Sequence, residues 1–327
     1  MPHEALALVE RDGNGIDRAF RADVLEGLSQ PQKAIPARWF YDRAGSQLFE
    51  EITRLPEYYP TRAETEILTR HGADFARLIG PGRAVVEFGS GSSQKTPLLL
   101  RAIAPAAYVP LDISGEFLRA AAADLAERFP GLPVYPVEAD FNRRVALPDA
   151  VAALPMLGFF PGSTIGNMVP ATAVDLLRSM RATLGDESLL LIGMDLIKDA
   201  AVLIAAYDDA SGTTARFNLN LAQRINRELD GTIPVDRLRH VARWNDTFAR
   251  VEMHLEAAGE IAFSVAGRPF RMAAGETIHT ENSHKFDRRS QDTLLLAGGW
   301  TPLERWHDEQ RRFSLLLARA TPPRNAP

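Results

Sequence analysis

Val85-Val86-Glu87-Phe88-Gly89-Ser90-Gly91-Ser92-Ser93 is the stretch that decides the fold. An apolar run ends in an acid and is followed at once by a glycine-flanked turn. That order describes a buried parallel strand whose carboxyl end opens into a loop where a ligand can approach the backbone closely. Glu87 stands two residues before the first glycine, so its carboxylate is expected inside the loop's cradle. Such a charge repels the pyrophosphate of a dinucleotide and attracts a cation. Gln94 also stands where G-x-G-x-x-G would place its third glycine. A plain turn shares the tripeptide, but the acid points to S-adenosylmethionine, which carries a sulfonium and an ammonium and has no phosphate.

Outward from this turn, strand and helix patterns alternate. Residues 84–87 precede a helix at 96–103, and 108–111 end in Asp112 before a helix over 116–128. Residues 134–138 end near Asp140, 156–160 run into Gly162 and Ser163, and a helix over 172–183 leads to a strand over 188–194. Strands separated by single helices imply right-handed βαβ crossovers and a parallel sheet. Upstream, 17–28 and 62–78 carry helical periodicity, the second ending in the stop Gly80-Pro81-Gly82. Between them lies a loop rich in aromatics: Trp39, Phe40, Tyr41, Phe49, Tyr58 and Tyr59. After Lys198 the character changes. Residues 215–228 read as helix, and 250–256, 260–265 and 270–273 read as short strands of an antiparallel insertion. Residues 301–309 and 312–318 suggest a hairpin, and 321–327 a disordered tail. The fold class expected is α/β: a Rossmann-like class I methyltransferase sheet with a C-terminal antiparallel hairpin, plus a smaller α+β domain.

Composition narrows the function. With 327 residues, the chain suits one large domain or two of ordinary size. A hydrophobic share of 46% and a charged share of 24% are those of a soluble globular protein. Net charge of −5 argues against a broad nucleic-acid footprint. Zero cysteines exclude disulfides, cysteine-ligated zinc, iron–sulfur clusters and thiol catalysis, and fit a reducing compartment. Glu4, Glu10 and Asp12 interrupt any leader-like apolar run, and no uncharged stretch reaches the roughly 18 residues of a membrane span. The expectation is a cytoplasmic monomer with a small-molecule substrate and neither nucleic-acid nor membrane partners.

Ligands of an open parallel sheet bind at the carboxyl ends of its strands. Glu87, Asp112 and Asp140 fall at three successive ends. Asp112 suits two ribose hydroxyls; Asp140 suits an adenine amino group, and Phe141 offers its ring a face. One acid there could equally cap a helix, but three in register with a glycine turn favour the cofactor. In Pro161-Gly162-Ser163-Thr164-Ile165-Gly166-Asn167, Gly162 permits close approach and Asn167 supplies a donor and an acceptor. A helix-capping loop is the alternative. In Thr280-Glu281-Asn282-Ser283-His284-Lys285-Phe286, extended backbone puts Glu281 and Ser283 on one face, suited to an imidazole or an amine. Plain surface polarity is the alternative. His284 lacks a second ligand nearby, so no metal is expected.

Together these segments resemble one family. Trp39-Phe40-Tyr41-Asp42, Leu55-Pro56-Glu57-Tyr58-Tyr59-Pro60-Thr61-Arg62, Glu87-Phe88-Gly89-Ser90-Gly91, 162–167, Ala206-Tyr207-Asp208-Asp209 and 281–286 are similar to the histidine-specific N-alpha-methyltransferases. These make hercynine, the trimethylated betaine of histidine, for ergothioneine biosynthesis. The resemblance runs from about residue 17 to about residue 320. It implies S-adenosylmethionine as donor, S-adenosylhomocysteine as product and no metal. It also implies a methyltransferase domain of residues 63–197 and 285–327 and a substrate-binding domain of residues 1–62 and 198–284.

The resemblance assigns residues as well. Asn167 and Tyr207 would hold the substrate carboxylate, Glu281 and Ser283 the imidazole, and Tyr58 would line the site. Tyr41, Phe49, Gly162 and Met253 occupy further positions of the family's pocket, and Tyr41, Gly162 and Asn167 are the candidate catalytic residues. The aromatic loop becomes a lid or wall. On the cofactor side stand Glu87, Gly89, Ser90, Gly91, Lys95, Asp112, Asp140 and Phe141. Asn282 and His284 depart from the pattern, since actinobacterial members carry an apolar residue and a cysteine there. The Glu-Asn-Ser variant resembles more distant members, including fungal ones, some of which methylate tryptophan derivatives. Histidine is the expected acceptor. A tryptophan-type acceptor is the alternative, followed by a non-catalytic relative that only binds the cofactor.

Overall fold

A computed structural model describes residues 17–91, 95–113 and 115–321. Ser92, Ser93 and Gln94 of the glycine turn, and residues 322–327 of the expected tail, lie outside them. Strand β1 (Ala84–Phe88) is buried at every position, as an apolar run without alternation requires. It pairs in parallel with β2 (Ala107–Asp112) on one side and with β4 (Met156–Phe160) on the other. β3 (Val137–Glu138) adds outside β2 and β5 (Leu189–Asp195) outside β4, both parallel. β6 (Trp300–His307) and β7 (Phe313–Ala320) complete the sheet antiparallel, β7 against β5.

The order β6-β7-β5-β4-β1-β2-β3 winds outward in two directions from the β1/β4 pair, which makes the carboxyl ends there a topological switch point. This is a Rossmann-like sheet closed by a C-terminal antiparallel hairpin. Its two faces are packed separately: Val86 and Phe160 join Leu176 and Met180 on one side, while Val85 joins Leu99, Leu100 and Ile103 on the other. Two expectations change. The strand at 134–138 shrinks to β3: Val134 keeps only an isolated bridge to Tyr108, and Pro110 of β2 has no amide to carry the ladder on to Tyr135. The single helix at 62–78 is two, Tyr59–Arg70 and Gly72–Ile79, parted at His71.

The chain divides into two compact units. One contains residues up to Tyr59 together with Lys198–His284; the other contains Pro60–Ile197 and the residues from Lys285 onward. The first crossing thus falls at Tyr59, three residues before the expected 62. The unit ending at His284 holds a four-stranded sheet of Lys33–Ala34, Thr277–His284, Arg250–Ala257 and Leu238–Asn245 in that order, and a hairpin of Ile261–Val265 with Arg268–Met272. Helices Arg18–Leu28 and Thr213–Glu228 contribute Phe20, Val24, Phe217 and Leu221 to a core shared with Met253 and Leu255 of the sheet. Among the described residues no helix is long and apolar enough to cross a membrane.

One buried ion pair in the sheet unit is a stability device with a measurable size. Lys285 Nζ lies 3.0 Å from Asp195 Oδ2, and both side chains are essentially without solvent. Lys285→Met leaves a buried carboxylate without its counter-charge and is expected to destabilise by about 3–5 kcal/mol. Urea unfolding should show this loss, and the double variant Lys285→Met/Asp195→Asn should recover part of it.

Candidate active site

The turn after β1 uses backbone conformations that side chains rarely adopt. Gly89 and Gly91 have φ of +70° and +49°, the left-handed region open to glycine. A Cβ at Gly89 would lie 3.4 Å from the Phe141 ring, so that ring stands against bare backbone. Asp112, at the end of β2, accepts from Gly91 N at 3.0 Å. The amides of Gly89 and Ser90 both donate to Leu111 O. Asp140 closes a short turn by accepting from Asn142 N and Nδ2 at 3.0 and 2.7 Å. Gly89, Ser90, Gly91, Asp112 and Phe141 therefore gather at one carboxyl edge, with Asp140 fixed beside Phe141. The bare glycine backbone, the acid on Gly91 and the ring on Gly89 fit a nucleoside without phosphates.

Glu87 behaves differently from the expectation. Side chains alternate along a strand, so Glu87 shares the face of Val85, toward helix Thr96–Ile103. It is 2% exposed and accepts from Thr96 Oγ1 at 2.7 Å and from Tyr108 OH at 2.5 Å. Burial pushes its carboxyl up to about 7, against the pull of the Tyr108 and Thr96 hydrogen bonds. Glu87 is thus not an open carboxylate in the cradle. It fastens the strand that enters the turn to the helix that leaves it.

Lys95 is engaged too. Its ammonium pairs with Glu64, a carboxylate with no exposed surface. Glu64 Oε2 and Oε1 also accept from Gly162 N at 3.0 and 3.1 Å. Sequence reasoning passed over Glu64, although a signal existed: it sits three and four positions before buried Ile67 and Leu68, inside the apolar stripe of its helix. Gly162 has φ of +82° and Ser163, unusually for a residue with a Cβ, +58°. Ser163 Oγ accepts from Asp195 N at 2.9 Å. The loop that ends in Asn167 is therefore clamped at Gly162 and again at Ser163, and Asn167 closes its short 3-10 turn.

In the other unit the decisive feature is one extra residue in strand Thr277–His284. His279 pairs with His254, whereas Glu281 pairs with Met253, a register shift of one at Thr280. Such a bulge swaps the faces of everything beyond it. Glu281 and Ser283 accordingly lie opposite Met253 and Val251, on the core side. Asn282 and His284, the two departures from the family pattern, lie opposite Glu252 and Arg250 on the far side.

Tyr207 ends helix Ala200–Tyr207, and its hydroxyl is 2.6 Å from Ser283 Oγ. Asp209 fixes the chain just beyond, accepting from Thr213 N at 3.0 Å, Thr214 N at 2.7 Å and Ser211 Oγ. Burial alone would raise its carboxyl; the hydrogen bonds from Ser211, Thr214 and Thr213 outweigh that and hold it well below the usual range.

The aromatic loop divides. Trp39, Phe40 and Tyr59 are core residues. Tyr41, Phe49, Tyr207 and the likewise buried Tyr58 form an edge-to-face series, Tyr41–Phe49, Phe49–Tyr58 and Tyr58–Tyr207, with ring centroids 5.6, 6.1 and 6.4 Å apart. Phe217, unnoticed in the sequence, backs Tyr41 and Phe49 at 5.9 and 6.0 Å. Among the described residues one group has metal-ligand spacing, Glu252 with His254 and His279, their ligand atoms within 4.8 Å of one another. Arg250 and Asn245 already donate to that glutamate.

Residues 20–320 match the family described as histidine-specific methyltransferase, SAM-dependent. The chain belongs to that family. It is 40% identical over 306 residues to the histidine N-alpha-methyltransferase of Mycobacterium tuberculosis, covering 92% of this chain and 94% of that protein. Over 324 residues it is 25% identical to the 4-dimethylallyltryptophan N-methyltransferase of Claviceps purpurea, covering 90% and 93%. Over 298 residues it is 29% identical to ergothioneine biosynthesis protein 1 of Neurospora crassa, covering 84% of this chain and 32% of that protein. The family's S-adenosylmethionine dependence agrees with a turn that lacks the third glycine of a dinucleotide site.

The state of Glu87 can be read from stability. Its native carboxyl keeps a proton up to about 7, while the unfolded chain releases it near the ordinary 4.5 of a glutamate. Stability from this group is therefore present in acid and lost as pH rises through that window. Glu87→Gln removes the dependence, so its stability relative to the unsubstituted protein should rise by on the order of 3 kcal/mol between pH 4.5 and 8. Urea unfolding at both ends of the range checks the difference; a constant offset would place the carboxylate in water.

Proposed function

We propose that this protein transfers methyl groups from S-adenosylmethionine to the α-amino nitrogen of L-histidine, giving N,N,N-trimethylhistidine. The observation that carries the reading is the placement of Glu281 and Ser283 on one strand face beside Met253, with the Tyr207 hydroxyl at Ser283. An imidazole offers one N–H donor and one nitrogen acceptor; a carboxylate and a hydroxyl answer both. An indole offers only a donor and leaves the hydroxyl unanswered.

In this scheme the unit built on β1 binds the methyl donor and the unit containing Tyr207 and Glu281 reads the amino acid. Asp112 takes the ribose hydroxyls, Asp140 and Phe141 the adenine, and the Gly89–Gly91 backbone and Lys95 the remainder, with Glu64 holding Lys95. When bound, S-adenosylmethionine supplies an electrophilic methyl on its sulfonium. The protein's share is orientation, worth roughly 7–11 kcal/mol at best. Glu281 and Ser283 fix the ring, Tyr207 and Asn167 the carboxylate, and Gly162 leaves room for close approach. Repeated transfer needs a surface tolerant of a growing alkylammonium. The Tyr41, Phe49 and Tyr58 rings provide one through cation–π attraction of about 0.5–2 kcal/mol. Each attack also requires a neutral amine, whose proton passes to water, with the part-exposed Tyr41 as relay. The product is the betaine from which ergothioneine is built, and that pathway is the one proposed.

Two measurements test this reading. Mass spectrometry of an amino-acid panel incubated with S-adenosylmethionine should show three methyl groups gained by histidine; turnover of tryptophan with histidine untouched would overturn the acceptor. Glu281→Ala removes a charge-assisted hydrogen bond of about 1.5–3 kcal/mol. It should raise the histidine KM by roughly tenfold or more, and an unchanged KM would mean that the ring is read elsewhere.

A further inference from the structure

The bulge that aims Glu281 is not held by the sheet alone. Thr280, the extra residue, is fully buried, and its hydroxyl lies 2.8 Å from Asn218 Oδ1 and 3.0 Å from Met253 O. Asn218 is a buried amide in the middle of helix Thr213–Glu228, on a turn that packs against the sheet. Its Nδ2 reaches His254 O at 3.0 Å and His240 Nδ1 at 2.8 Å. His240 in turn sets its Nε2 2.8 Å from Tyr207 O, the carbonyl that ends helix Ala200–Tyr207. On the other flank of the bulge, His279 Nε2 lies 3.0 Å from Glu281 O.

These bonds assign one consistent set of protons. Asn218 Nδ2–H donates to His240 Nδ1, so that nitrogen carries no proton and Nε2–H donates to Tyr207 O. A neutral imidazole is what burial imposes, since burial pushes the His240 pKa down. A helix-terminal carbonyl, normally left to water, thereby receives a protein donor. The same amide that fixes this carbonyl also fixes the bulge.

We propose that Asn218, His240 and Thr280 are positioning residues that set acceptor recognition, by locking the spacing between Tyr207 and the Glu281–Ser283 face. The inference rests on the acceptor roles given to Tyr207, Glu281 and Ser283 above. Without the bulge, Glu281 would follow His279 onto the far side of the sheet. Without His240, the carbonyl that ends the Tyr207 helix would lose its protein donor, and with it one tie between that helix and the strand carrying His240. The network joins both adjustments in one set of bonds, none of which uses the side chains of Tyr207, Glu281 or Ser283.

Thr280→Val keeps the shape and deletes the hydroxyl; Thr280→Ser keeps the hydroxyl; His240→Leu cuts the far end of the network. The expected result is a histidine KM raised about tenfold in T280V and H240L, with kcat changed much less. S-adenosylhomocysteine affinity by calorimetry should be unchanged, and T280S should match the unsubstituted protein. A folded T280V or H240L with an ordinary KM overturns the proposal. So does T280S failing alongside T280V, or loss of folding or of S-adenosylhomocysteine binding in both disruptive variants, which would make the residues merely structural. If the unsubstituted protein methylates a different amino acid, the acceptor reading fails by itself, and the same KM comparison with that amino acid still decides the network.

Discussion

A carboxylate withdrawn from water must be protonated, paired or hydrogen-bonded, and the methyltransferase sheet is arranged around three such groups. Glu87 ties β1 to Thr96 and Tyr108. Glu64 ties Lys95 to the Gly162 amide. Asp195 ties the end of β5 to Lys285 and, through its backbone amide, to Ser163. Between them these acids fix the residues that follow the glycine turn, the loop that leads to Asn167, and the point where the chain re-enters the sheet. Removing any one would release a loop as well as a charge. The glycines give the turn its shape, but buried acids keep that shape in register with the neighbouring strand ends.

The unit that holds Tyr207 and Glu281 is governed by a different constraint. A strand offers every second side chain to its core, and a single extra residue reverses the offer. At Thr280 the reversal brings Glu281 and Ser283 to the face of Met253, while Asp209 caps the next helix and holds the chain after Tyr207. The aromatic series from Tyr41 to Tyr207 leans on Phe217 of that same helix. One helix, Thr213–Glu228, thus supports the aromatic wall through Phe217, receives the Asp209 cap at its start and anchors the bulge through Asn218.

Much of this was legible in the sequence, for reasons that also explain what was not. The parallel strands announce themselves because burial on both faces demands unbroken apolar runs, as in β1 and β5. Strand Leu238–Asn245 escaped because His240, which serves the polar network inside, and Val241 on the outer side interrupt the alternation that Leu238, Ala242 and Trp244 otherwise keep. Helix Arg43–Ile52 was hidden by Gly45, a poor helix former. The reason for that glycine is tertiary: a Cβ there would overlap Phe40 O. Helix Arg288–Ala297 carried a readable signal in its Asp287–Ser290 capping box. The family motifs name the residues proposed for the ligands, and Glu87 marks what they leave out, because a motif does not say which side of a strand its acid takes. Glu64 left a trace in the apolar stripe of its helix, but its role, like those of Asn218 and His240, was hidden for another reason. Their partners lie 31 and 98, or 22, 36 and 62, positions away, and only the folded chain brings them together.

The alternation of strand Thr277–His284 has an evolutionary corollary. Positions 281 and 283 answer to the core, whereas 282 and 284 answer to an ion-paired outer surface that includes Glu252 and Arg250. The two sets meet different neighbours, so side chains at 282 and 284 can change against Glu252 and Arg250 while those at 281 and 283 keep their places opposite Met253 and Val251.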